Sequence, residues 1–387
     1  MKKVISMRTA LLALILLLCC SGCWDRKEIN QLAIVNIGAV DLDSKNKKKI
    51  NVYLQVINPM GVSAKGGGSS KAAVYTYRFD EMSPGLVQEA SSTAMPRRLF
   101  ADHMQCYILS ERIARTENML QVINYFERDP ARRTSITFLI ADSPLPIVLN
   151  SFTPLETVPG RFLRSLMEQQ SIEFGSTNFI LRVKDVIEGI PKHQPTIVPI
   201  LHYNGSEPSS STSRLEEIDA VNNGLSIKDG AVIYRAKMVG RIDREMFITD
   251  MILNRKIVQA MDSLVVSGAK VDVLATKFKV KRNWDRAANR LLIDIHANLR
   301  IILNDQQEEM TTQNLHKVEQ AFNDSFLEKA REVVKHANKT GWDLLGLQDQ
   351  GVASDQWKLT HLDFDVQSEV TAVGNTTIPY RSQDMEE

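Results

Sequence analysis

The sequence predicts an α+β fold made of two to three mixed-sheet domains. Its 387 residues are 24% charged and 43% hydrophobic, the balance of a chain that buries real cores. At roughly 150 residues per domain that length makes two or three units. Stretches with a two-residue apolar period are interspersed with stretches of helical period, and no sustained βαβ repeat links them. Two breaks interrupt the pattern. Ser143–Pro159 holds four prolines, and Gly205–Ser213 reads GSEPSSSTS without one apolar residue, the composition of a linker. The expected division is a signal segment at 1–22, an N-terminal α+β region at 23–205 as one or two domains (split near 143–160), a linker at 206–213, and a C-terminal α+β domain at 214–387.

Strands and helices follow in order. Leu32–Val40 is apolar and β-branched, a buried strand. Ser44–Lys49 is a basic turn, and Asn51–Ile57 is a second strand. Gly61–Ser70 is a flexible loop; it lacks the Gly-Lys-Ser/Thr and following helix of a phosphate cradle. Ala73, Tyr75, Tyr77 and Phe79 form one face of a third strand. Ser83 caps a helix with Pro84 at its first position, running to Ala94. Met104–Ser110 and Thr134–Ala141 are strands on either side of a helix at Asn118–Glu127. The proline-rich stretch is an irregular connection, and helices are expected at Arg161–Gln170 and Phe179–Glu188. Past the linker, Asp229–Arg241 is a hairpin, and Asp243 caps a helix reaching Val265. Val271–Val280 and Leu291–Leu303 are strands. Gln313–Asn338 is the longest helix, about 39 Å. Its stripe of Leu315, Val318, Phe322, Phe326, Ala330, Val333 and Ala337 is core, with a docking face for a membrane partner as the alternative. Leu359–Val373 is the last strand.

The N-terminus is an address. Lys2, Lys3 and Arg8 precede Ala10–Cys20, eleven residues without a charge. A helix of that length is about 16 Å, half of a bilayer core. A charged start, a short apolar run and a small-residue exit describe a secretory signal. The exit is Cys20-Ser21-Gly22-Cys23, which resembles the lipobox of bacterial lipoproteins, with Cys20 where that motif usually has Leu. By that resemblance cleavage falls between Gly22 and Cys23, and Cys23 carries a diacylglyceryl thioether. An uncleaved anchor, an unlipidated signal and a metal site on Cys19, Cys20 and Cys23 are the weaker readings. Removing three basic residues leaves 44 Lys and Arg against 46 acids, a net charge of −2. No later apolar run is long enough to span, so the body sits outside the membrane on a two-chain anchor.

Near-neutral charge excludes a nucleic-acid footprint. Asp102, His103 and Cys106 cluster in sequence, but residues 103 and 106 of a strand point to opposite faces. No His pair has metal-ligand spacing, and Asp363 and Asp365 share a strand face that is expected to be solvated. No catalytic residue, metal or cofactor site is therefore assigned.

Several blocks together resemble the Ger(x)C family of spore germination lipoproteins. They are Gly22-Cys23-Trp24-Asp25-Arg26-Lys27-Glu28-Ile29-Asn30, Leu99–Gln105 through Ser110–Arg115, and Phe126-Glu127-Arg128-Asp129 with Arg132-Arg133. Gly230–Tyr234 with Lys237–Gly240, Asp343-Leu344-Leu345-Gly346-Leu347 and Trp357-Lys358 follow in order. The resemblance implies a non-catalytic C subunit of a nutrient germinant receptor, an α+β protein on the extracytoplasmic face of the spore inner membrane. Its implied partners are the multi-spanning A and B subunits, with no nucleic acid and no small molecule. A lipid-anchored solute-binding protein or surface hydrolase is the competing class.

Overall fold

The computed structural model describes residues 28–46, 49–62, 72–129, 132–153, 155–176, 179–205, 208, 221–222, 224–285, 287–305, 311–354 and 356–373. The first apolar run becomes β1 (Leu32–Leu42), antiparallel to β2 (Ile50–Ile57). Their register shifts between Val35 and Ile37. Such a bulge turns the following side chains to the other face. Ala33 and Val35 accordingly pack on one side of the sheet, and Ile37 and Ala39 on the other. Asn36 sits at the bulge and is buried. Its Nδ2 donates to Gln55 Oε1 at 3.4 Å, and Gln55 donates to the Leu149 carbonyl at 2.8 Å, so these interior amides are paired. β3 (Val74–Phe79) adds to the far side of β2.

Pro84 opens one 3-10 turn, and α1 (Val87–Ala94) continues from it. β4 (Arg98–Phe100) lies parallel to the first residues of β1, and β5 (Cys106–Ser110) is parallel to its second half. The Ser110 hydroxyl accepts from the Ile113 N–H at 3.3 Å and caps the short α2 (Glu111–Ala114). Then come α3 (Asn118–Arg128), β6 (Thr137–Ala141), α4 (Leu145–Asn150), α5 (Pro159–Glu173), α6 (Val183–Gly189) and β7 (Thr196–Tyr203). β8 (Leu225–Tyr234) and β9 (Lys237–Ile242) complete a nine-stranded mixed sheet. Its order is β3-β2-β1-β5-β6-β7-β8-β9, with β4 on β1. Most of the Ser-rich segment lies outside the described residues. The strands flanking it are hydrogen-bonded neighbours, Thr196 opposite Ile233 through Tyr203 opposite Leu225. The compositional break thus falls between two strands of one sheet, and that sheet's last strand ends at Ile242.

The second sheet follows α7 (Arg244–Leu253), whose N-cap Asp243 accepts from the Met246 N–H at 2.8 Å. β10 (Gln259–Val266), β11 (Ala269–Asp285) and β12 (Arg290–Asn304) run antiparallel. After α8 (Thr312–Thr340), β13 (His361–Ala372) returns parallel to β12. Thr311 caps the start of α8, and Gly341 ends it at φ +78°, the left-handed residue that terminates many helices. α8 lays Val318, Phe322, Phe326, Ala330, Val333 and Ala337 against the sheet, all buried. The stripe is core, which removes it as a docking face.

Three elements differ from expectation. The helix from Asp243 stops at Leu253, and Arg255 takes φ +59°. The residues beyond it pair with β11 through Ser267-Gly268, both at positive φ. That two-residue hairpin turn matches strand twist, and the pairing overrides the helical reading to Val265. The proline-rich stretch contains α4, with Pro144 at its N-cap. β7 has no counterpart in the sequence reading, and Pro199 lies in its middle. The ladder to β8 shifts register between Pro199 and Leu201, so the missing N–H falls at an irregularity, where a strand tolerates proline.

Candidate functional site

The two sheets meet at a joint built from four segments. α7 ends at Leu253 and Asn254, and the loop 190–194 leads into β7. β11 contributes Arg282, and residues 342–350 follow α8. Arg282 donates to the Leu345 carbonyl at 2.9 Å, the Leu253 carbonyl at 3.2 Å and Asn254 Oδ1 at 3.0 Å. Gln194 Nε2 reaches Asn254 Oδ1 at 3.0 Å and the Leu344 carbonyl at 2.7 Å. Asn254 Nδ2 donates to Leu344 O and to Asp250 Oδ1, both at 3.0 Å. One guanidinium and two amides therefore satisfy carbonyls on both sides of the seam, and a planar Arg fork suits that task.

The charges at this joint are shaped by burial. Burial pushes the Asp250 carboxyl up to about 6, with Lys256, the Asn254 amide and Arg282 opposing it. Burial also lowers Arg282, and Arg255 adds to that effect. Asp349 accepts the backbone N–H groups of His193 and Gln194, both at 2.9 Å. Partial burial raises that carboxyl, but the two backbone bonds and the His193 ring outweigh it and hold it below the usual range. Asp343 folds the loop on itself by accepting from Leu347 N and Gln348 N at 2.9 and 2.7 Å. Trp342 lies on Gly240 of β9, where a Cβ would come within 2.1 Å of the indole. The core is continuous beneath: Leu201, Phe247, Ile252, Val271 and Phe322 belong to one buried cluster. The block Asp343-Leu344-Leu345-Gly346-Leu347 was legible as a motif. Gln194, Asn254 and Arg282 were not; each sits among other polar residues (Lys192-His193-Gln194, Asn254-Arg255-Lys256, Lys281-Arg282-Asn283), with no spacing to single it out.

A second polar cluster lines the carboxyl ends of the parallel strands, where open sheets often bind ligands. Ser110 and Arg112 both bond Asp41, Arg112 at 2.5 Å. Arg241 joins Glu111 to Asp142, the latter at 3.2 Å, and His202 Nδ1 lies 2.8 Å from Asp142. Every carboxylate there already has a partner, so the cluster stitches strand ends together.

The assigned residues Gly22 and Cys23 lie outside the described residues, as do Cys19 and Cys20. Cys106 is fully buried and its thiol donates to the Gly160 carbonyl at 3.7 Å. Burial pushes it up to about 12, while His103 is exposed against Phe100. They form no nucleophile–base pair. Asp363 bonds Arg290 and Asp365 accepts from Gln367 at 2.9 Å. Among the described residues no three His, Cys, Asp or Glu side chains are grouped as metal ligands, and no helix is long and apolar enough to cross a membrane.

Residues 25–203 match the family described as "Spore germination protein N-terminal domain". Residues 228–376 match the one described as "Spore germination B3/ GerAC like, C-terminal". Spore germination protein KC of Bacillus subtilis is 27% identical over 203 residues, 50% of this chain and 48% of KC, so that match spans about half of each protein. YfkR of Bacillus subtilis is 23% identical over 389 residues, 95% of both chains. The crystal structure of the GerBC protein has the same fold, with a TM-score of 0.50 and 15% identity over 86% of this chain and 96% of that one.

Proposed function

From a chain that belongs to the GerAC-type spore germination protein family, we propose a lipid-anchored, non-catalytic C subunit of a nutrient germinant receptor. It stands on the extracytoplasmic face of the spore inner membrane beside multi-spanning A and B subunits. The observation that carries this reading is the ordered match of both family halves, beginning at residue 25. That start lies two residues past Cys23, where the lipobox-like exit places a new N-terminus. The anchor argument agrees: a two-chain lipid is enough for stable membrane attachment.

The joint gives the subunit its physical character. Its clamping side chains bond protein carbonyls and amides, with only the Arg282 Nε left unpaired among their buried atoms, as expected of a scaffold that presents two units in a fixed relation. The test is the Cys23→Ala chain, followed by lipid labelling and fractionation of spore membranes. Labelling should vanish and the protein should leave the membrane. Firm attachment after a salt wash would defeat the anchor. Copurification of multi-spanning subunits with the tagged native chain tests the receptor role, and their absence from the purified material would count against it.

A further inference from the structure

The block Phe126-Glu127-Arg128-Asp129 with Arg132-Arg133 has no part in the joint, yet it borders two adjoining spaces in the N-terminal unit. The inner one is a chamber of about 40 Å³ walled by Val35, Leu54, Val87, Leu99, Phe126 and Ile136. The outer one is an open vestibule of about 920 Å³ between the 3-10 turn at Pro84, the start of β2 and α3. Pro84, Gln88, Tyr125 and Arg132 line both, so the two communicate there.

The charge at this junction is unbalanced. Lys49 is paired with Glu81, and Arg132 with Asp129 at 3.1 Å. Arg128 and Arg133 have no ion pair among the described residues, which leaves an excess of two positive charges. Arg132 also lies over the Tyr125 ring at 5.4 Å, which fixes its plane. Tyr107 lines the chamber and is only 3% exposed. Burial pushes its phenol up, and the nearby Arg132 guanidinium opposes that. The hydroxyl is not among the sealed-off unsatisfied polar atoms, so it is a donor open to the chamber that Arg132 and Arg133 also line.

We propose that this paired space binds a small carboxylate with a short branched aliphatic tail. The tail fills the chamber, and the carboxylate meets Arg132, Arg133, Arg128 and the Tyr107 hydroxyl. A water-sized group needs roughly 10–15 Å³ of such space, so the chamber takes about three, the size of a branched three- or four-carbon tail. Guanidinium groups recognise carboxylates in a planar fork, and a dry apolar chamber rewards the tail.

The experiment is calorimetric titration of the purified chain with sodium isovalerate, which has both parts. Acetate supplies the charge without the tail, and isovaleramide the tail without the charge. Isovalerate should bind at a single site, and each of the other two at least tenfold more weakly. Ala101→Leu, which fills the chamber, and the surface change Arg133→Gln should each weaken isovalerate at least fivefold. Tyr107→Phe should do the same, with far-ultraviolet circular dichroism unchanged. No heat with isovalerate, acetate binding as well as isovalerate, or indifference to all three substitutions would each overturn the assignment.

Discussion

Gly240→Ala separates a fitted joint from a loose one by sign. Gly240 lies in β9 opposite Val232. A glycine inside a strand ordinarily costs stability, and alanine there recovers roughly 0.5–1 kcal/mol. Here the added methyl would stand 2.1 Å from Trp342 Cη2 and 2.4 Å from Cζ2, about half the distance of a normal carbon contact. The indole has to move, and it is attached to the loop that holds Leu344 and Leu345 in the Arg282 and Gln194 bonds. Overpacking of this kind costs about 1–3 kcal/mol, so the net change should be a loss. Equilibrium urea unfolding followed by circular dichroism measures it. The control is Trp342→Leu, which removes the obstacle. On that background Gly240→Ala should return to a gain, a coupling of about 1–3 kcal/mol between two residues in contact. An unfolding midpoint at or above that of the wild type for Gly240→Ala alone would refute the fit, as would an equal cost in both backgrounds.

Asp250→Asn tests the buried carboxyl. With its folded value near 6 and an unfolded value near 3.9, the folded state holds more protons between those limits. Stability therefore falls as pH rises through that window, by about 3 kcal/mol from this group. The variant should gain its advantage at pH 7.5 and lose it near pH 4, and parallel pH–stability curves would contradict the assignment. Arg282→Met should cost about 2–4 kcal/mol by leaving carbonyls unpaired, and Arg282→Lys should recover little of that, because one ammonium cannot span three acceptors. Full stability in the Lys variant would show that charge alone suffices. Cys106, fully buried and pushed up to about 12, should resist iodoacetamide at pH 8 in the folded protein and react once the chain is unfolded. Peptide mass mapping reads this directly, and native labelling within minutes would mean the core opens readily.

Where the fold was legible, period decided it. β12 alternates Leu291, Ile293, Ile295, Ala297, Leu299 and Ile301 inward, and each is buried; α8 repeats its apolar residues every three or four positions. Both patterns survive folding because they are long. The misses are places where a tertiary pairing outweighed local signal. β10 has too short a run to mark itself and is a strand only because β11 lies beside it. β7 carries a proline that a bulge accommodates. The linker-like Ser-rich composition marks a long connection between neighbouring strands, since composition reports solvation and not which strands hydrogen-bond. Phe179 was placed in a helix, yet it stacks on Phe174 at 4.9 Å ahead of the helix start at Val183.

The same limit explains the site. A catalytic centre announces itself through reactive residue types at set spacing, so its signal is local. A joint is made from carbonyls that any residue can supply and from single polar side chains far apart in sequence, Gln194, Asn254 and Arg282 here. Its one local trace is the loop after α8, because turning a chain sharply against another sheet requires Gly341 and Gly346 at positive φ and an Asp to bind the loop's own amides. That trace lies in one of the blocks that carried the family resemblance. The overlap has a physical cause: the residues that fix the relation between two units are constrained by both of them at once.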